Sequence, residues 1–228
     1  MTVLDSKTIV RCDDVSFTYP DGNRVLSHCS ADFSLGNVHY LVGPSGCGKS
    51  TLGLLLCGVL VPTPGNIVLP KDALPTMVLQ FPENLFLADS VEEELALLPD
   101  SAAEEQALNM LADFDLHFVN IAHKSPHRLS FGQRRLFTIA LQASLGSQLV
   151  ILDEPSLGLD ETHVHQLASW LGSASKRGIC CIVITHDLDL IAELDGEVHI
   201  LGHGQFQWHG PSTDFLNDSD LLRLAAAQ

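Results

Sequence analysis

The chain has 228 residues, with 12 Lys and Arg against 28 Asp and Glu, a formal net charge of −16 with histidine neutral. At 46% hydrophobic and 18% charged residues it has enough apolar surface for a sizeable core, which excludes an intrinsically disordered chain. The few, outnumbered cations argue against nucleic acid or an anionic membrane surface as partner, so a polyanion must be held at a local site.

The first residues, Met1 to Val10, carry Asp5 and Lys7 and no apolar stretch of signal-peptide length. Short alternating runs follow: Ile9-Val10, then Val15 to Tyr19, a turn at Pro20 to Asn23, and Val25-Leu26. They predict an antiparallel β-rich region over about residues 1–40, with about residues 66–80 assigned to it as well. Val38 to Val42 reads as a strand, and a helix begins near Lys49. The apolar stretch Leu52 to Val61 is broken by glycine and falls short of the ~20 residues a membrane span needs, so a cytoplasmic location is expected. From Ser90 to Phe114 the pattern is acidic and helical, with Val91, Leu95 and Leu98 on one stripe, Ala107, Leu108 and Leu111 on another, and a break at Pro99. Helical pattern resumes from Phe131 to Leu145, so about residues 85–145 form a helical insertion. Leu149 to Leu152 and Ile179 to Ile184 are continuous apolar runs, as strands buried on both faces of a parallel sheet require, with a helix from about Glu161 between them. The tail alternates through Val198 to Leu201 and Gln205 to Trp208 and ends in a helix from about Ser212. The prediction is a single α/β domain over 1–228: a mostly parallel P-loop NTPase core, an N-terminal antiparallel part and an inserted helical part.

Two stretches carry chemistry. Gly43-Pro44-Ser45-Gly46-Cys47-Gly48-Lys49-Ser50, followed by Thr51, matches G-x-x-x-x-G-K-[ST] between a strand and a helix. Its glycines let backbone N–H groups converge on phosphate oxygens, Lys49 reaches the β- and γ-phosphates, and the Ser50 hydroxyl can ligate Mg²⁺. This is the local site that the charge balance demands. Asp153 and Glu154 end the strand Leu149 to Leu152 at the sheet edge where ligands bind. There Asp153 would hold Mg²⁺ through water and Glu154 would polarise a water in line with the γ-phosphate. The cysteines at 12, 29, 47, 57, 180 and 181 lack metal spacing and read as reduced, mostly buried thiols, with Cys47 the one candidate for redox chemistry. His163, His165, His199, His203 and His209 lack partners at convincing metal spacing and are assigned surface or structural roles.

These residues resemble a family. Asp153-Glu154-Pro155-Ser156-Leu157-Gly158-Leu159-Asp160 is similar to the joined Walker B and D-loop of the ATP-binding cassette (ABC) ATPases. Leu129-Ser130-Phe131-Gly132-Gln133 is similar to their signature, usually Leu-Ser-Gly-Gly-Gln. Tyr19 resembles the aromatic residue that stacks on adenine, Gln80 the Q-loop glutamine and His186 the H-loop histidine. The resemblance covers essentially the whole chain and implies ATP and Mg²⁺ as cofactors, Glu154, His186 and Gln80 in catalysis, and Ser50, Gln80 and Asp153 at the metal. It also implies a second ATPase subunit, identical or paralogous. Ser130 and the Gly132 backbone would meet the γ-phosphate bound by that second subunit, so two ATPs would be sandwiched head to tail, and Gln133 and Asp160 are also implied at the nucleotide. Phe131 departs from the usual glycine, so contacts there, or ATP turnover, would be altered.

Residues 79–86, Leu-Gln-Phe-Pro-Glu-Asn-Leu-Phe, are similar to the Q-loop region of energy-coupling factor importers and related cobalt, nickel and biotin systems, without the glutamine common before the final Leu-Phe. The short tail points to the biotin-type members. The resemblance therefore implies an ATP-hydrolysing subunit that energises uptake of a vitamin or metal ion, peripheral on the cytoplasmic face of the cell membrane through separate transmembrane subunits. The alternatives are the ATPase of another ABC transporter, an exporter or lipoprotein-release system, or a non-transport ABC ATPase acting on nucleic acid or ribosomes. The acidic composition and the absence of a long coiled-coil insertion count against the latter.

Overall fold

The computed structural model describes residues 8–70, 73–80 and 86–226. Strands β1 (Thr8–Thr18) and β2 (Arg24–Ser34) pair antiparallel across a turn in which Tyr19 N–H donates to the Asn23 carbonyl (2.9 Å) and Asn23 N–H to Asp21 Oδ1 (2.9 Å). With β4 (Asn66–Val68) on the other side of β1, they make a three-stranded antiparallel sheet in the order β2-β1-β4.

The second sheet is built on β3 (Val38–Val42), β5 (Thr76–Val78), β6 (Leu149–Asp153), β7 (Cys180–Ile184), β8 (Glu197–Gly202) and β9 (Gln205–Pro211), in the order β5-β6-β7-β3-β8-β9. All neighbours are parallel except β8 and β9. Every residue of β3, β6 and β7 is buried, because both faces are covered. Successive side chains point to opposite faces. Val150, Leu152, Cys181 and Val183 join one apolar cluster, against the helical layer, while Leu149, Ile151, Cys180 and Ile182 join the other, against β1, β2 and α1 (Lys49–Leu56).

The antiparallel reading of residues 66–80 needs correction. Asn66–Val68 pairs antiparallel with β1, but Thr76–Val78 pairs parallel with β6 and belongs to the core sheet. Val38 to Tyr40 likewise belongs to the core. Alternation identifies a strand but not its neighbour, which depends on a chain segment about seventy residues away.

The helical layer begins with α2 (Val91–Ala96), capped reciprocally by Ser90 and Glu93, and α3 (Ser101–Asp113), capped by Asp100; the predicted break at Pro99 falls between them. Glu94 of α2 is buried and accepts from the N–H groups of Leu87 and Ala88. After α4 (Phe118–Ile121) comes α5 (Phe131–Ala143), and after β6 comes α6 (Glu161–Lys176); α3 packs on both long helices. Helix α7 (Leu188–Glu193) precedes β8, and α8 (Ser212–Asn217) and α9 (Ser219–Ala226) close the fold. Among the described residues no helix is long and apolar enough to cross a membrane.

Candidate nucleotide site

The parallel strands deliver the predicted residues to one edge. The phosphate loop leaves the C-terminal end of β3, His186 follows β7, Asp153 and Glu154 end β6, and Gln80 follows β5; these four strands are adjacent in the sheet. Ser45, Gly46, Lys49, Ser50, Gln80, Asp153, Glu154, Leu157 and His186 line one cleft of about 350 Å³. A neighbouring cleft of about 760 Å³ shares Ser45 and Gly46 and extends over Pro44, Cys47, the start of β2 from Arg24 to Ser27, and His203. The two lie on either side of the phosphate loop.

Loop conformation explains the glycines. Gly43 has φ +145°, and a Cβ there would run into the Leu201 carbonyl of β8. Gly48, the N-cap of α1, offers no side-chain cap, so the first N–H groups of that helix are left for an anion. Lys49 is buried, and its ammonium donates to the carbonyls of Gly43 (2.6 Å) and Pro44 (3.0 Å) at the loop entrance.

Burial pushes the carboxyls of Asp153 and Glu154 above the usual carboxylate range, opposed at Asp153 by a hydrogen bond from Ser50 and the charge of Lys49, and at Glu154 by the His186 backbone N–H. The Ser50 hydroxyl and the Asp153 carboxylate line the same cleft, a pair of hard oxygen donors that fits Mg²⁺. Glu154 Oε1 lies 3.4 Å from His186 Nε2. Burial and the nearby Lys49 charge lower the His186 pKa, which leaves a neutral imidazole beside the carboxylate.

Other predicted residues lie outside this cleft. Tyr19 is half-buried on the flank of α1, its hydroxyl 3.2 Å from Thr51 Oγ1 and its ring edge-on to Phe17. Ser130 and Gln133 cap α5 reciprocally: Gln133 N–H donates to Ser130 Oγ (3.2 Å) and Ser130 N–H to Gln133 Oε1 (3.1 Å). Asp160 caps α6 by accepting from His163 N–H (3.0 Å) and pairs with the His163 ring (2.6 Å). Neither they nor Gly132 line the cleft. The Phe131 ring occupies the space beside Gly158: a Cβ at that glycine, whose φ is +76°, would lie 2.5 Å from Phe131 Cε1. The signature and the turn after β6 therefore touch within one chain. Residues 81–85 lie outside the described residues. The six cysteines are free, and burial raises the Cys47 pKa, which disfavours the thiolate that redox chemistry needs.

Sequence reasoning missed two groups. Arg135 of α5 is buried and donates to main-chain carbonyls around the site. The available signal was a cation on the apolar stripe of Gly132, Leu136, Ile139, Ala140 and Ala143. The other is His39 on β3 with His199 and Glu197 on β8, whose ligating atoms lie within 4.8 Å of one another. Ser34 N–H donates to His39 Nε2 (3.0 Å), so the neutral ring carries its proton on Nδ1, which faces His199 Nε2 (3.1 Å) and Glu197 Oε2 (3.5 Å). With no lone pair left on Nδ1, the group is a hydrogen-bonded relay and not a cation site. His165 pairs with the Glu193 carboxylate (3.0 Å).

Comparison with known proteins places the chain in a family. The family model for the ABC transporter matches residues 26–157, and one for an AAA domain matches residues 125–192. A putative ABC transporter ATP-binding protein of Streptomyces coelicolor is 32% identical over 97% of this chain and 90% of its own length. An energy-coupling factor transporter ATP-binding protein of Methanocaldococcus jannaschii is 30% identical over 95% and 84%. Among solved structures, CbiO1 of Clostridium perfringens, described as part of the ABC transporter complex CbiONQ, is 26% identical with a TM-score of 0.80, covering 96% of this chain and 94% of that one. By its matched residues, its relatives and its fold, the chain belongs to the family of ABC transporter ATP-binding proteins.

Proposed function

We propose that the chain is the ATP-hydrolysing subunit of an energy-coupling factor type importer for a vitamin or a metal ion. The observation that carries the reading is the line of Lys49, Asp153, Glu154, His186 and Gln80 along one sheet edge. The energy-coupling factor relative and the CbiO1 structure support the type of transporter.

The loop amides and the first turn of α1 cradle the phosphates, and Lys49 exchanges its two carbonyl partners for phosphate oxygens. Ser50 and Asp153, with Gln80, would hold Mg²⁺, which when bound offsets the charge of the β- and γ-phosphates. Glu154, a stronger base for its burial, accepts a proton as water attacks the γ-phosphorus and the bond to the β-bridging oxygen breaks, leaving ADP and phosphate. The neutral His186 holds that water and the γ-phosphate in line. Tyr19, anchored through Thr51, presents its ring to adenine. Ser130, Gly132, Gln133 and Asp160 do not line the chain's own cleft, which supports a second ATPase subunit whose nucleotide they would meet. The pair would sit on the cytoplasmic face of the membrane against separate transmembrane subunits, with no nucleic-acid partner.

Glu154→Gln tests the site. Hydrolysis is expected to fall by at least about 100-fold with ATP still bound and an ATP-trapped dimer on size exclusion. Hydrolysis near the parent rate would overturn the assignment of Glu154. Purification of the tagged chain from native membranes is expected to recover small transmembrane proteins; recovery of ribosomes or DNA would overturn the transporter reading.

A further inference from the structure

Glu154 holds a backbone conformation that its side chain does not favour. Its φ is +49°, in the left-handed region, where a β-carbon crowds the following carbonyl. A non-glycine residue stays there only when its surroundings hold it, and such residues cluster at functional sites. Here the peptide groups on both sides are tied down. Glu154 N–H donates to the Ile184 carbonyl at the end of β7 (2.8 Å), and its own carbonyl accepts from Leu157 N–H (3.2 Å) and from the Arg135 guanidinium.

Arg135 stands one turn into α5 and is 1% exposed. Among the described residues its guanidinium reaches four main-chain carbonyls: Nε to Pro155 (3.1 Å), Nη1 to Gln80 (2.5 Å), and Nη2 to Asp153 (3.4 Å) and Glu154. These acceptors come from the end of β6 and from the residue leaving β5. A buried cation is costly to desolvate, and an apolar side chain of similar volume would fill the same space. Filling alone therefore does not account for a charge at this position. A planar guanidinium fork does account for it, because it serves several carbonyls at fixed angles, which the point charge of a lysine cannot.

We infer that Arg135 is a positioning residue that holds Glu154 in its left-handed conformation and ties Glu154 and Gln80 to the helix that begins at the signature. The inference rests on the reading of Glu154 as the catalytic carboxylate. It adds a direction of coupling. Ser130 and Gly132, at the first turn of α5, engage the partner's nucleotide, and Arg135 carries the resulting placement of α5 to the hydrolytic carboxylate of its own subunit. The contact of Phe131 with Gly158 joins the same two segments at a second point.

The test is Arg135→Lys and Arg135→Met in the full chain, with ATP affinity, kcat and KM measured separately. The expected result is kcat lowered about 10-fold or more in the lysine variant and further in the methionine variant, with the ATP Kd within about 3-fold of the parent, since Lys49 and the loop are untouched. A folded lysine variant with kcat within about 2-fold of the parent, or a loss confined to ATP affinity, would overturn the inference. Should both variants fail to fold, the parent protein decides: the Arg135 Nη protons, followed by NMR, should shift when ATP and vanadate are added, and an unchanged signal refutes the coupling. Glu154→Gln separates the two readings. If that variant is inactive while Arg135→Lys is fully active, only the role of Arg135 fails; if it hydrolyses ATP normally, the reading of Glu154 fails first.

Discussion

The buried pair His39 and His199 predicts a specific acid sensitivity. Burial lowers the His39 pKa from 6.5 to about 4 and the His199 pKa to about 3. Above pH 6.5 both rings are neutral in the folded and the unfolded chain, and stability does not depend on them. As pH falls through 6.5 the unfolded chain takes up two protons that the folded chain refuses, so stability drops until the folded values are reached. Each proton contributes about 1.4 kcal/mol per pH unit, so the pair gives a slope approaching about 2.7 kcal/mol per unit and a loss of about 4 kcal/mol at pH 5. Against a typical domain stability of about 5–15 kcal/mol, that is a large share. Urea unfolding followed by circular dichroism from pH 7.5 to pH 5, on the parent and on His199→Leu, isolates the effect. The variant leaves Glu197 to accept from His39 Nδ1–H and removes one of the two protons, so its slope should be about 1.4 kcal/mol per unit shallower. Asp153 and Glu154, whose raised values act with the opposite sign, are common to both proteins and cancel in the comparison. Parallel lines for the two proteins between pH 6.5 and 5 would refute the reasoning.

Lys49→Ala is expected to weaken ATP binding by about 10- to 100-fold, the worth of a charge-assisted hydrogen bond, measured by isothermal titration. Gly158→Ala should cost about 2–3 kcal/mol, from a Cβ driven into the Phe131 ring plus a positive φ; in a Phe131→Ala background the penalty should fall to about 1 kcal/mol in chemical denaturation. Glu104, Glu105 and Asp113 are exposed on α3 and suit a basic surface on the transmembrane partner, whereas Glu93 and Glu94 are spent on the cap and the loop beside α2. Docking measured in detergent should therefore weaken between about 50 and 500 mM salt, and an interface insensitive to salt would count against that placement.

Different parts of the site were legible for different reasons. The phosphate loop reads directly because its work is done by neighbouring backbone amides, so an unbroken run of eight residues carries its whole geometry. Asp153 and Glu154 read almost as well, because a continuous apolar run ending in acids locates both a buried strand and the edge where it stops. Tyr19 and Ser130 were singled out by resemblance, which says nothing of their surroundings: Tyr19 leans on Thr51, and Ser130 caps its own helix. Beside them the chain also settles its helix boundaries, since Ser90, Asp100, Ser130 and Asp160 each cap the helix they precede.

What only the tertiary structure decided are the relations between distant segments. The placement of β5 beside β6, the relay from Ser34 through His39 to His199, the Phe131 ring on Gly158 and the four carbonyls around Arg135 join residues from 5 to 160 positions apart. Local sequence sets the backbone conformation of a loop or cap because its partners lie within a few bonds. A strand's neighbour and a buried cation's acceptors are set by register and packing across the whole sheet, and those exist only once the chain has closed.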